Sequence, residues 1–292
     1  MRAPVNPGKN GGAGSFDQGG FAVTILVTGA TGNIGRKVVD QLLARGATGV
    51  RALTTNPAKA ALPPEVEVAH GYVRRVETLP AALEGVDSLY LAPAPDTVGE
   101  VLALARAAGV RHVVDLSGEP ESWWGSVTAA VEASGVAWTH LWPGDFMENT
   151  QTWAQQIRDT GAVREPYPDI ASAPIAMDDI AAVAAVALLD SDAHLGKAHW
   201  LAGPEILTRR ELVRQLGTAL GREIEFLRVS RDEAVVALTP SMGENAEWYV
   251  DNVLGGGEEN PTAPTGSVEQ LTGRPAITFA QWAKENAAAF DV

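Results

Sequence analysis

The sequence predicts an α/β fold: a doubly wound parallel sheet with a smaller C-terminal α/β region packed on it. Three observations predict it. Apolar runs of strand length alternate with stretches of helical periodicity through residues 21–150. A glycine-spaced segment, Gly29-Ala30-Thr31-Gly32-Asn33-Ile34-Gly35, joins the first run to the first helix. Beyond Asn149 the alternation stops, and residues 151–292 read as a second, smaller region.

The elements follow in order. Residues 1–20 hold six glycines and no apolar stretch, so a disordered tail is expected there rather than a signal peptide. Val23–Thr28 is the first strand, and Ile34, Val38, Val39, Leu42 and Leu43 recur at helical spacing after it. Val50–Thr54 and Val66–His70 read as strands, Val76–Leu83 as helical and Ser88–Ala92 as a strand. Val98–Ala108 is an alanine-rich helix stopped by Gly109. A strand at Val110–Leu116, a helix at Val127–Ala133 and a strand at Val136–Trp142 complete the set. Thr150–Ala176 has no clean period and contains Pro166, Pro168 and Pro174. Asp178–Leu189 is a helix with an aspartate cap. Thr208–Leu220 is another, opened by the capping-box pair Thr208 and Glu211. Gly255–Gly266, rich in glycine and proline, reads as a mobile loop.

Composition narrows the function. A net charge of −14 leaves no surplus of cations for phosphate backbones, which argues against nucleic acid. With no cysteine, disulfides, thiolate nucleophiles and Cys-ligated zinc are excluded, and no His/Asp/Glu spacing suggests a metal. No uncharged run reaches the roughly 18 residues of a membrane span. The expectation is a cytoplasmic protein, monomeric or weakly self-associating, that acts on a small molecule.

The glycine segment carries the chemistry. Gly29 permits the tight turn off the strand, Gly32 lets backbone approach a pyrophosphate, and Gly35 lets the helix pack closely. Phosphates then meet free N–H groups at the positive end of the helix, beside Thr31, Asn33 and Ile34. This strand–turn–helix context marks a Rossmann-type dinucleotide site. NAD enzymes of this type place an acid at the end of the second strand to hold the ribose hydroxyls. Here that stretch is Leu53-Thr54-Thr55-Asn56-Pro57-Ala58-Lys59, with no acid to repel a 2′-phosphate. Arg36 and Lys59 are the candidate phosphate partners, so NADPH is favoured over NADH. Ala92, Pro93, Ser117 and Pro143, at later strand ends, are expected along the same carboxyl-end rim.

The chain resembles the NmrA-like group of atypical short-chain dehydrogenases/reductases over about residues 23–290. The resemblance rests on TGATGNIG (28–35), VRALTTNPAK (50–59), GVRHVVDLSG (109–118), ASGVAWTHLWPGDFMEN (133–149), PIAMDDIAAVA (174–184), LAGPEILTRREL (201–212) and LTGRP (271–275). It implies NAD(P) binding and a substrate cleft between the sheet and the C-terminal region. The chain departs from the group in three places. Thr55 stands where members often carry Arg, and the third strand ends in Gly71-Tyr72 rather than Gly-Asp. The superfamily's Tyr-x-x-x-Lys proton relay is missing: no Lys occurs from residue 60 to 196. Trp124, Thr128 and Ala129 occupy the places where relay-less members put His or Lys and Glu.

Two readings follow. One is an NADPH-dependent ketoreductase whose substrate or a water stabilises the alkoxide, as an aromatic ketone flanked by a hydroxyl can. Trp123, Trp124, Trp138, Trp142 and Trp153, five of the eight tryptophans, fall within 31 residues and favour a flat, bulky ligand. This combination resembles the ketoreductases that tailor aromatic polyketides in antibiotic biosynthesis. Ser117 and Asp145 are the candidate catalytic residues, Asp145 having a turn-forming alternative after Pro143-Gly144. Trp123, Trp124, Phe146, Met147 and Asn149 are the candidate substrate contacts. Trp138 reads as core, and His140 as a residue that could approach the cofactor. The other reading is a non-catalytic NAD(P)-sensing regulator, which predicts a shallow cleft.

Overall fold

The computed structural model describes residues 23–255 and 263–291. The expected tail and most of the expected loop at 255–266 lie outside the described residues. The main sheet holds β1 (Ile25–Val27), β2 (Val50–Thr54), β3 (Glu67–His70), β4 (Ser88–Leu91), β5 (His112–Leu116) and β6 (Ala137–Pro143). Two short strands, β7 (Ala162–Glu165) and β8 (Ala171–Ser172), precede β9 (Lys197–Leu201), which joins the main sheet. The spatial order is β3-β2-β1-β4-β5-β6-β9, every pair parallel. Its first six strands follow the dinucleotide-binding order, which reverses between β1 and β4. The chain crosses over at that point, leaving a crevice above the strand ends.

Helices cover both faces. On one lie α1 (Asn33–Ala44) and, after four intervening helices, a second long helix at Met177–Leu189. Those others are α2 (Pro80–Leu83), α3 (Val98–Ala107), α4 (Gly125–Ala133) and α5 (Ala154–Thr160), so Met177–Leu189 is α6. Val38, Val39 and Leu42 of α1 pack with Ile180, Ala184 and Leu188 of α6 against Ile25 and Val114. On the opposite face Val101, Leu102 and Ala105 of α3 pack with Val127 and Val131 of α4 against Leu89 and Val113. Burial on both faces explains why the central strands β1, β4 and β5 read as nearly continuous apolar runs, while the edge strand β3 is mostly exposed.

The remaining elements are α7 (Ser191–His194), β10 (Leu207–Thr208), α8 (Arg209–Ala219), β11 (Glu225–Arg228), α9 (Arg231–Met242), α10 (Asn245–Tyr249), α11 (Ser267–Thr272), α12 (Phe279–Glu285) and α13 (Ala288–Asp291). Two small sheets, β7 with β11 and β8 with β10, organise the C-terminal region. Its core joins Trp153, Ile157, Leu212, Leu216, Phe279 and Trp282. The prolines of residues 166–174 hid these short strands from a periodicity reading.

Two local expectations change. Residues 76–83 form a 3-10 turn, Val76–Thr78, then the four-residue α2, because Pro80 breaks the run. The Asp178 side chain does not cap α6. It pairs with Lys37 of α1 at 2.7 Å, which ties the two helices on one face together. The capping box of Thr208 and Glu211 forms as the spacing predicts, and Ser230 with Glu233 makes a second. Among the described residues no helix is long and apolar enough to cross a membrane.

Candidate active site

The glycine turn has no room for a side chain at position 35. A Cβ on Gly35 would lie 2.2 Å from the Gly29 carbonyl oxygen, and Gly29 itself has φ +61°. The start of α1 therefore stands directly on the end of β1. Gly32 caps that helix with no side chain bonded to its first turn, and no acid lies there. The first N–H groups of α1 remain available beside exposed Thr31, Gly32 and Asn33. A pyrophosphate fits this cradle, which no side-chain cap closes.

Thr28 fixes the crevice beside it. Its hydroxyl donates to the Tyr90 carbonyl at 2.9 Å and accepts from the Ala92 amide at 2.8 Å, locking β1 to β4 at the switch point. The Thr31 and Thr54 hydroxyls meet at 3.2 Å, closing the turn toward β2. Arg36 bonds Asp40 at 3.2 Å and the Ala61 carbonyl at 3.0 Å. That second contact brings Arg36 over the segment after β2, where Thr55 and Lys59 are exposed.

A cavity of about 570 Å³ opens at the carboxyl ends of β4, β5 and β6. Pro93, Ser117, Trp123, Trp124, Pro143, Asp145, Phe146 and Asn149 line it from the sheet side. Ser172, Arg209, Trp248, Tyr249 and Asn252 close it from the C-terminal region. Thr128 Oγ1 lies 3.0 Å from Ser117 Oγ and 2.5 Å from the Gly118 carbonyl. A hydroxyl carries one proton, and the carbonyl contact is the shorter. Thr128 thus donates to Gly118, which leaves the Ser117 proton for Thr128 or for a ligand. Asp145 accepts from Asn149 Nδ2 at 2.7 Å and from Ser172 Oγ at 3.2 Å, so both carboxylate oxygens are oriented. Burial, the largest influence, raises the Tyr249 hydroxyl above its ordinary pKa against the opposing pull of Arg209.

Three expectations are corrected. Met147 does not line the cavity; it is buried with Trp153 and Ile157 because its 3-10 turn faces the C-terminal core. Trp153 is likewise structural and donates its indole N–H to Glu165 at 2.6 Å. His140 is fully buried in β6, with Nδ1 2.6 Å from Asp115 Oδ2 and its ring stacked on Trp138. Alternation along β6 turns it toward α4, whose Glu132 is the next acid at 3.7 Å, and away from the cavity.

Sequence reasoning missed Ser172, Arg209, Trp248, Tyr249 and Asn252. Only the LTRREL segment hinted at any of them, since Arg209 follows its Thr208 cap.

Residues 29–119 match a family model described as NAD(P)H-binding. A (4-alkanoyl-5-oxo-2,5-dihydrofuran-3-yl)methyl phosphate reductase of Streptomyces griseus is 39% identical over 285 residues, covering 91% of this chain and 99% of the relative. An NAD(P)H azoreductase of Xenophilus azovorans is 36% identical over 284 residues, covering 91% and 99%. Among solved structures, an NADPH-dependent quinone oxidoreductase of Escherichia coli superposes with a TM-score of 0.78 at 26% identity, over 90% of this chain and 99% of that one. The chain belongs to the family of NAD(P)H-binding reductases that holds these two relatives, and it has structure neighbours in the NmrA-like group of atypical short-chain dehydrogenases/reductases. It is an NAD(P)H-dependent oxidoreductase.

Proposed function

We propose that this oxidoreductase is an NADPH-dependent ketoreductase that reduces a carbonyl of a bulky, planar aromatic compound. The observation that carries the reading is the cavity itself: about 570 Å³ at the carboxyl ends of the strands, with aromatic walls at Trp123, Trp124, Phe146 and Trp248 and a polar set around Ser117 and Asp145. Its volume suits a reductase better than a sensor with a shallow cleft. The acceptors named for the two curated relatives, an alkanoyl-oxo-dihydrofuranylmethyl phosphate and an azo compound, have conjugated π systems that spread developing charge. An acceptor of that kind needs little help from a protein acid, which fits a chain without the Tyr-Lys pair.

Gly29, Thr31, Gly32, Asn33, Ile34 and Gly35 would hold the pyrophosphate, with Thr54, Ala92, Pro93 and Pro143 along the strand-end rim. Arg36, Thr55 and Lys59 would take the 2′-phosphate. Bound there, the cofactor supplies a hydride to the carbonyl carbon. Ser117 turns its hydroxyl toward the carbonyl oxygen, and the proton that completes the alcohol comes from a neighbouring substrate hydroxyl or water. Asp145, held by Asn149 and Ser172, orients that hydroxyl or water. Trp123, Trp124 and Phe146 lie against the substrate's flat faces.

The test is cofactor oxidation by the purified full chain with NADPH, and separately NADH, against hydroxylated polycyclic ketones. NADPH oxidation with a new alcohol product supports the reading. Tight NADPH binding without oxidation across the panel overturns it.

A further inference from the structure

We propose that Trp123 and Trp248 form an aromatic gate across the cavity mouth, and that Trp248 selects polycyclic acceptors over single-ring ones. The proposal rests on the planar substrate class inferred above and adds the device that chooses within it.

The two indoles come from opposite sides of the crevice. Trp123 sits on the loop between β5 and α4, and Trp248 on α10 of the C-terminal region. Their ring centroids lie 4.8 Å apart at an interplanar angle of 34°. Trp124 meets Trp123 edge-on at 5.0 Å, which extends the aromatic surface inward. All three line the cavity that holds Ser117 and Asp145. Trp123 is 67% exposed and Trp248 42% exposed, although both are large and apolar. Clustered exposed apolar surface at a cavity rim marks a place where a ligand completes the burial.

The backbone under each indole is fixed. Tyr249, next to Trp248, is buried with Val250 and Leu254. Asn252 Nδ2 donates to the Trp248 carbonyl at 2.9 Å, and Arg231 grips Glu247 at 2.8 Å and Asp251 at 2.6 Å. A π-helical turn, Val250–Leu254, follows directly; such turns recur at functional sites. On the other side Ser122 Oγ donates to the Glu119 carbonyl at 2.6 Å. The gate therefore opens by rotation of the side chains.

A flat guest held between two indoles needs about 7 Å between their centroids, two carbon contact distances. At 4.8 Å the pair is closed. Entry exchanges the indole–indole contact for contacts with the guest. A polycyclic ligand reaches both Trp124 inside and Trp248 at the mouth, whereas a single ring seated near Ser117 ends short of Trp248.

The test is calorimetric titration of the NADP⁺-loaded full chain with 1,8-dihydroxyanthraquinone and with 2′-hydroxyacetophenone. Trp248→Ala should weaken the anthraquinone about tenfold, the usual scale of one lost aromatic contact. It should leave the acetophenone within about twofold and the melting temperature unchanged, since the indole is half exposed; Trp248→Phe should restore most of the affinity. Equal losses for both ketones, or no loss for either, overturn the gate while the substrate class stands. Failure of the unaltered protein to bind either ketone overturns both.

Discussion

Arg209 at the start of α8 grips Glu165 at the end of β7 through two parallel hydrogen bonds in the cavity wall. The Nη2–Oε1 bond is 2.9 Å, and Nε donates to Oε2. Glu165 is fully buried, takes a third hydrogen bond from Trp153, and has Arg209 stacked 5.4 Å from the Trp153 ring. Burial alone would lower the Arg209 pKa, but Glu165 outweighs it and raises it, so the guanidinium stays charged. Arg209→Met would strand a buried carboxylate and should cost about 3–5 kcal/mol in urea unfolding. Pairing it with Glu165→Met should recover most of that loss. A single-variant loss under about 1 kcal/mol would contradict the arrangement.

Gly35→Ala should damage cofactor binding more than folding. The new Cβ, 2.2 Å from the Gly29 oxygen, forces the start of α1 away from β1. We expect the NADPH Kd to rise at least about tenfold. Fluorescence titration reads this, with circular dichroism as the check on folding. An unchanged Kd would remove the cradle from the phosphate site.

Arg36→Ala and Lys59→Ala should raise the KM for NADPH and leave that for NADH within about twofold, because only NADPH carries the 2′-phosphate. About tenfold is expected for Arg36, a charge-assisted contact at a partly exposed position. A matching rise for both cofactors would place these cations elsewhere.

Ser117→Ala should lower kcat about 10–100-fold for a ketone acceptor, the scale of one hydrogen bond to developing charge. Substrate KM should change little. Steady-state kinetics with both parameters resolved decides it, and an unchanged kcat would exclude Ser117 from the chemistry.

Acid should destabilise the fold through two histidines. Burial lowers the pKa of His112 and of His199 from 6.5 to about 4. Thr139 spends its single proton on the His194 carbonyl, so it accepts from His112 Nε2, and His112 stays neutral with Nδ1 buried and unpartnered. The unfolded chain binds these protons at higher pH than the folded one. Their contribution is intact above about pH 6.5 and is lost as pH falls toward about 4. The melting temperature should drop through that window, and His112→Phe should flatten the slope. An equal slope in that variant would assign the acid loss to other groups.

Strands β1 to β6 and the glycine turn were legible because each is a local pattern. A sheet covered on both faces needs unbroken apolar runs, and a pyrophosphate turn needs glycines at fixed spacing. Met147, Trp153 and His140 were misplaced because type and spacing do not say which way a side chain points. A 3-10 turn sent Met147 and Trp153 into the C-terminal core, and strand alternation sent His140 toward α4.

The sequence by itself determined the parallel sheet, the dinucleotide cradle, the missing Tyr-Lys relay and the Trp123-Trp124 loop. All of these are written in neighbouring residues. Only the tertiary structure decided the far wall of the cavity. Ser172, Arg209, Trp248 and Tyr249 reach Ser117 and Asp145 because residues 151–254 fold back over the strand ends. That return is set by the packing of Trp153, Leu212, Leu216 and Trp282 into a shared core. Burying those side chains brings together residues that no spacing along the chain connects.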